Sequence, residues 1–217
     1  MYKVFRNLFD DAALIELERL FKTYTSIDQW PKSSAVGRSY GSISNSSSRI
    51  ARFLLLKPNA APIGIRDKIE QAITDLSDKK YYFLEDWSIQ RYLDTERGKF
   101  NWHQDTLNFF LYQPQDKGKT PDEVFIANAK PKRAISISIA LNDREEYEGG
   151  QFVIDVGDGE QTPIDLDRGD ACIFTSETYH GVEPVTSGVR DALIIWLVDY
   201  EEYVEWSELC DIAIEKV

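Results

Sequence analysis

The sequence predicts an α+β protein in which helices come first and a β-sandwich or barrel core follows. Two observations carry this. Apolar residues recur at helical spacing in two early segments. After Lys80 the period changes to two, in seven or so short runs separated by turns rich in Gly, Pro and Asp. A chain of 217 residues with 42% apolar content can bury one core of ordinary size. One domain over 1–217 is therefore expected: a helical support region over 1–80, a strand-rich core over 81–200 and a C-terminal helix over 201–217.

Residues 11–25 carry Ala13, Leu14, Leu17, Leu20 and Phe21 on one helical face, with Asp10 or Asp11 available as N-cap. The stretch 31–48 is rich in Ser and Gly and has no periodicity. It reads as a surface connection, with a substrate-contacting segment as the alternative. Order resumes over 50–56, and 63–76 forms a second helix with Ile65, Ile69, Ile73 and Leu76 on one face.

Residues 87–92 read as a strand, 94–99 as a polar turn around Gly98, and 100–106 as a strand carrying His103 and Asp105. The apolar run 107–112 is expected to pack on the core. The polar stretch 114–133, interrupted by Pro114, Pro121 and Pro131, is expected to be irregular and to act as a lid. In 134–141, Ile135, Ile137, Ile139 and Leu141 share one face, and Ala134, Ser136, Ser138 and Ala140 the other. The face of small residues suits a cavity wall; a half-exposed strand explains it equally well. An acidic turn over 142–150 ends in Gly-Gly. Strands follow over 151–156, 171–174, 180–184 and 189–199, and an acidic helix over 201–217. Asp167-Arg-Gly-Asp170 reads as a tight turn between strands.

A net charge of −12 and a pI near 4.7 repel nucleic acid and anionic membranes, so neither is an expected partner. Cys172 and Cys210 have no metal-type spacing and suit a reducing compartment. There is no apolar run of membrane-spanning length and no signal-like segment in residues 1–11, so a cytoplasmic location is expected.

The chain has two histidines, His103 and His180. On an extended strand His103 and Asp105 would point to one side and could hold one metal ion together, and His180 could close a third position. Two imidazoles and a carboxylate on one face of an octahedron leave the opposite positions open, as in non-haem Fe(II) oxygen chemistry. His-x-Asp alone is common by chance; the downstream residues give it weight. Arg190 lies ten positions after His180 and shares a strand face with Trp196. A buried arginine needs an anion, and a dicarboxylate co-substrate chelating the metal by its other end would supply one. An ion pair with a surface acid is the alternative for Arg190.

Together, Trp102-His-Gln-Asp105, Glu148-Gly-Gly150, Gly169-Asp-Ala171 and the run from His180-Gly-Val to Val-Arg190 resemble the Fe(II)- and 2-oxoglutarate-dependent oxygenases. The prolyl 4-hydroxylase-like branch with its bacterial PKHD-type hydroxylases is the nearest group. The resemblance spans 87–200 and implies a double-stranded β-helix, or jelly roll, with helices packed on one sheet. It implies that His103, Asp105 and His180 hold Fe(II) and that Arg190 binds the far carboxylate of 2-oxoglutarate, with Tyr92 and Trp196 beside the same co-substrate. Some relatives add a tyrosine or threonine on the strand matching 134–141; here Ser136, Ser138 and Ala140 are the inward candidates, and Ser138 is taken as the co-substrate contact. The implied cofactors are Fe(2+), 2-oxoglutarate and O2, with L-ascorbate allowed as an accessory. The implied reaction is hydroxylation of an unactivated C–H bond with release of succinate and CO2. Asp105 favours hydroxylation over halogenation, since related halogenases lack that carboxylate. The implied substrate is a prolyl or other side chain of a protein or peptide. Hydroxylation of a free amino acid or small metabolite is the second reading, and a non-catalytic metal-retaining jelly-roll binding module is a third. Neither the substrate nor the oligomeric state is legible.

Overall fold

The structure, a computed structural model, describes residues 2–22, 32–34, 48–106 and 131–209. Helix α1 (Asp11–Lys22) is capped by Asp10, whose Oδ1 accepts the backbone N–H of Ala13 at 2.9 Å. Its Ala13, Leu14 and Leu17 are buried, as the spacing predicts. Helix α2 (Ile63–Thr74) buries Ile65, Ile69, Ala72 and Ile73. It ends two residues before the predicted boundary, where Leu76 N–H bonds Ile73 O at 2.9 Å in a tightened turn; Leu76 still packs on the core.

The strands are β1 (Tyr2–Phe5), β2 (Lys32–Ser34), β3 (Arg49–Leu56), β4 (Tyr81–Tyr82), β5 (Trp87–Leu93), β6 (Lys99–His103) and β7 (Arg133–Ala140). They continue as β8 (Tyr147–Gly149), β9 (Phe152–Ile154), β10 (Thr162–Ile164), β11 (Ala171–Thr175), β12 (His180–Val182) and β13 (Val185–Asp199), before helix α3 (Tyr200–Leu209). Among the described residues these thirteen strands pair in the order β1-β11-β7-β13-β5-β3-β6-β12-β9-β10, with β2 on β3 and both β4 and β8 on β13. The pairings are antiparallel, and the sheet curls over itself as a double-stranded β-helix.

Period-two alternation divides each long strand between two apolar clusters. Ile135, Ile137 and Ile139 of β7, Leu193, Ile195 and Leu197 of β13, and Trp87 and Ile89 of β5 face α1 and α2. The opposite faces turn into the roll, where Tyr92, Phe152, Phe174 and Val182 form a second cluster. Ser136, Ser138 and Ala140 are buried on that inner side, so the small face of β7 lines the interior.

Several expectations are corrected. Among the described residues, the first eighty supply three strands as well as two helices. β1 pairs with β11, 166 to 172 residues away in register, a distant partnership that no local pattern reports. The connection 31–48 contains β2, and β10 lies in the stretch 160–166, to which the sequence assigned no element. The two C-terminal strands meet at a short joint, with β13 running back to Val185. Arg133 belongs to β7 rather than to a lid. The apolar run 107–112, the lid segment up to 130 and the end of the acidic helix from 210, with Cys210, lie outside the described residues. The Asp167–Asp170 segment is a turn closed by a 2.9 Å bond from Asp170 N–H to Asp167 O. Gly169 adopts φ +90°, and a Cβ there would stand 2.1 Å from Phe9 O. Cys172 is buried, and burial pushes its thiol up to about 12, which makes it inert packing.

Candidate metal centre

His103 ends β6 and His180 opens β12, and the two are direct cross-strand neighbours with ring centroids 4.2 Å apart. Asp105 is not on the strand. It sits in the turn after β6, held by its N–H donating to Ser176 O at 2.9 Å. A turn, rather than the expected strand alternation, aims its carboxylate at the histidines.

Each imidazole is fixed in the same way. His103 Nδ1 lies 2.8 Å from Asn101 O, and His180 Nδ1 lies 3.0 Å from Thr178 O. A carbonyl only accepts, so Nδ1 carries the proton in both rings and Nε2 carries the lone pair. These Nε2 atoms stand 3.5 and 3.4 Å from Asp105 oxygens, and one ligand atom from each of the three residues falls within 4.8 Å of the others. His103 Nε2 is buried and has no hydrogen-bond partner among the described residues. Three lone-pair atoms face one another with no proton between them, an arrangement that a cation relieves.

Burial pushes the His180 pKa down to about 4 against the attraction of Asp105, so the ring is neutral, and able to ligate, near pH 7. Burial works the other way on Asp105, but the attraction of His180 and His103 in their charged forms and of the Arg133 guanidinium outweighs it and holds the carboxyl well below the usual range. Its Oδ2 accepts from Ser136 Oγ at 2.7 Å and Trp196 Nε1 at 2.8 Å. Oδ1 receives no such bond; the Arg133 guanidinium stands 3.8 Å from it. Arg133 in turn lies 3.8 Å above the Trp196 ring and grips Glu85 with bonds of 2.8 and 2.6 Å.

The three residues open onto a cavity inside the roll, lined also by Tyr92, Ser138, Arg190 and Trp196. All seven residues singled out in the sequence thus meet in one place. β13 is responsible for much of this: Arg190 pairs with Tyr92 of β5, Ile194 with Ser138 of β7, and Trp196 with Ser136. Arg190 is 3% exposed, and its Nη1 is buried with no hydrogen-bond partner among the described residues. Its guanidinium stands 5.4 Å over the Tyr92 ring. Gly150, at φ +60°, lets the stem pass, since a Cβ there would lie 3.2 Å from Arg190 Cδ. The Tyr92 hydroxyl donates to Gln90 Oε1 at 2.6 Å, and burial raises its pKa, so it remains a donor. The surface-acid pairing considered for Arg190 is not found among the described residues.

Sequence reasoning missed two contributors, Ser176 and Arg133, and the bond through which Trp196 acts. Trp196 is bonded to Asp105 as well as lining the cavity, Ser176 supports both Asp105 and Ser136, and Arg133 faces the carboxylate. Ser136 and Trp196 carried a signal through strand alternation, and Ser176 and Arg133 carried none.

Known proteins are similar to this chain in sequence and fold. A PKHD-type hydroxylase of Alteromonas mediterranea is 43% identical over 63 residues, covering 29% of this chain and 27% of the relative. One of Xylella fastidiosa is 30% identical over 141 residues, 64% of this chain and 58% of the relative, so the chain matches less than two thirds of either protein. Among solved structures, a prolyl hydroxylase from Trichoplax adhaerens, in complex with a hypoxia inducible factor peptide fragment, superposes with TM-score 0.63 at 14% identity. It covers 94% of this chain and 86% of its own, a likeness of fold. The sequence profile of the 2OG-Fe(II) oxygenase superfamily matches residues 87–198, the span that holds every residue facing the cavity named above. More than half of the chain is so matched, and the chain belongs to the 2OG-Fe(II) oxygenase superfamily.

Proposed function

We propose that this protein is a hydroxylase in which His103, Asp105 and His180 hold Fe(II) and Arg190 holds the far carboxylate of 2-oxoglutarate. Tyr92 and Ser138 are assigned to the same co-substrate. The observation that carries the reading is the pairing of two unmet needs in one cavity: His103 Nε2 lacks a proton or a cation, and Arg190 Nη1 lacks an acceptor. A metal answers the first and a carboxylate the second.

Bound there, Fe(II) with 2-oxoglutarate and O2 supplies the oxidising power that hydroxylates an unactivated C–H bond while succinate and CO2 are released. The chain itself supplies orientation. The Nδ1–carbonyl bonds fix both rings, Ser136 and Trp196 fix one oxygen of Asp105, and Phe152 and Phe174 keep the wall apolar. The proposed substrate is a prolyl side chain of a peptide or protein. Support comes from the PKHD-type relatives and from the peptide-bound prolyl hydroxylase of similar fold. The reading includes a single domain over 1–217 acting in the cytoplasm. The test is succinate production by protein loaded with Fe(II) anaerobically and then exposed to O2, screened against proline peptides, free amino acids and nucleic acid. Turnover on proline peptides is expected; turnover on free amino acids alone would transfer the assignment to a small metabolite. Binding of iron without 2-oxoglutarate would leave a binding module.

A further inference from the structure

Arginines near the cavity are mostly matched by acids. Arg133 holds Glu85, Arg91 holds Asp191, and Arg52 meets Glu96 at 2.9 Å. Among the described residues, neither Arg190 nor Arg49 meets a carboxylate. Arg190 is accounted for by the co-substrate, and Arg49 is left.

Arg49 opens β3 and is the cross-strand neighbour of Phe100 on the ligand strand β6. Leu54 and Leu56 of β3 face the helices, and Ala51 faces inward with Tyr92, so alternation puts Arg49 on the inner side as well. Its guanidinium stands 5.1 Å over the Phe100 ring. That ring lines the cavity and stacks on His103 with centroids 3.6 Å apart. Arg49 Nε is buried without a hydrogen-bond partner among the described residues. Burial pushes its pKa down; the Asp105 carboxylate opposes that and the Arg133 guanidinium adds to it, so both charged groups of the centre act on Arg49. Stacking on one ring is a weak attraction beside the desolvation of a guanidinium, so a packing role does not account for the residue.

The charge balance of the loaded centre points the same way. The two charges of Fe(II) and that of Arg190 offset Asp105 and the two carboxylates of 2-oxoglutarate, while Arg133 is matched by Glu85. The charge of Arg49 remains.

We propose that Arg49 anchors the substrate by a carboxylate carried close to the carbon to be hydroxylated. This rests on the functional reading above and narrows its substrate class. The carboxylate comes from one of two sources: the terminal carboxylate of a small substrate, or an acidic side chain next to the target residue in a peptide.

The experiment titrates probe pairs into the Fe(II)- and 2-oxoglutarate-loaded protein under nitrogen, following the metal-to-ligand absorption band and tryptophan fluorescence. The pairs are N-acetyl-L-proline against its amide, and an end-capped Pro-Glu dipeptide against Pro-Gln. In the wild type, one carboxylate should bind about 10-fold or more tightly than its amide partner, and which pair shows this identifies the source. Arg49→Gln should abolish the preference and Arg49→Lys restore part of it, while both keep their affinity for 2-oxoglutarate. If no carboxylate outbinds its amide in the wild type, or if the preference survives in Arg49→Gln, the assignment is overturned. A loss of 2-oxoglutarate affinity in Arg49→Gln also overturns it, placing the residue on the co-substrate. Should Arg49→Gln fail to fold, the wild-type pairs and Arg49→Lys decide alone. Failure of the wild type to bind 2-oxoglutarate would sink the enzyme reading, an outcome distinct from all of these.

Discussion

Trp196 donates its indole N–H to Oδ2 of Asp105 at 2.8 Å, and Ser136 reaches the same oxygen at 2.7 Å. With Oδ2 saturated, Oδ1 is the oxygen left toward His103, 3.5 Å from its Nε2. The carboxylate is therefore held in one orientation before any metal arrives.

Trp196→Phe removes that donor and keeps most of the apolar bulk. Partners of this kind commonly contribute about 10- to 100-fold to metal affinity. Fe(II) affinity should fall by that order in a competitive chelator titration, and Ser136→Ala should fall similarly. The double variant should lose less than the product of the two, because both bonds serve one oxygen. Unchanged affinity in both single variants would mean that Asp105 is oriented by its turn alone.

His103→Ala, Asp105→Ala and His180→Ala should each abolish succinate formation and leave the circular dichroism spectrum of the folded protein in place. Two remaining ligands do not define the centre. Any variant that turns over normally removes its residue from the ligand set. Asp105→Gly is the gentler case and is expected to retain iron when chloride is supplied.

Arg190→Ala should spare iron binding and weaken 2-oxoglutarate binding by roughly 10- to 150-fold, since a hydrogen bond to a charged group contributes about 1.5–3 kcal/mol. Arg190→Lys should recover only part, a point charge replacing a planar fork. The readout is the 2-oxoglutarate titration of iron-loaded protein under nitrogen. Equal affinity in all three proteins would end the assignment.

The His180 pKa sets a pH window. The unfolded chain takes up a proton near the ordinary value of about 6.5, while the folded, metal-free protein keeps His180 neutral down to about 4. Between those values the unfolded state binds more protons, so stability falls as pH is lowered through the window and is independent of this group above it. The loss is of order 3 kcal/mol by linkage. Urea midpoints of metal-free protein from pH 7 to pH 4 should decline more steeply for the wild type than for His180→Gln. Parallel curves would show that His180 is not buried neutral.

The sequence by itself determined whatever depends on period. Alternation in 134–141 and 189–199 is local, because successive side chains of a strand must leave on opposite sides. It sorted Ser136 with Ser138, and Arg190 with Trp196, onto one face of each strand before any partner strand was known, and the two histidines with Asp105 were legible as a rare combination of ligand types. The tertiary structure decided everything that depends on register and closure. Asp105 leaves the strand and is aimed by a turn tied to Ser176; Trp196 meets it across 91 positions; Arg133 meets Glu85 across 48; and Arg49 comes to lie over Phe100 because β3 pairs with β6. Contacts between distant strands are set by how the whole sheet curls and by the helices it buries against. No residue's immediate neighbours carry that information.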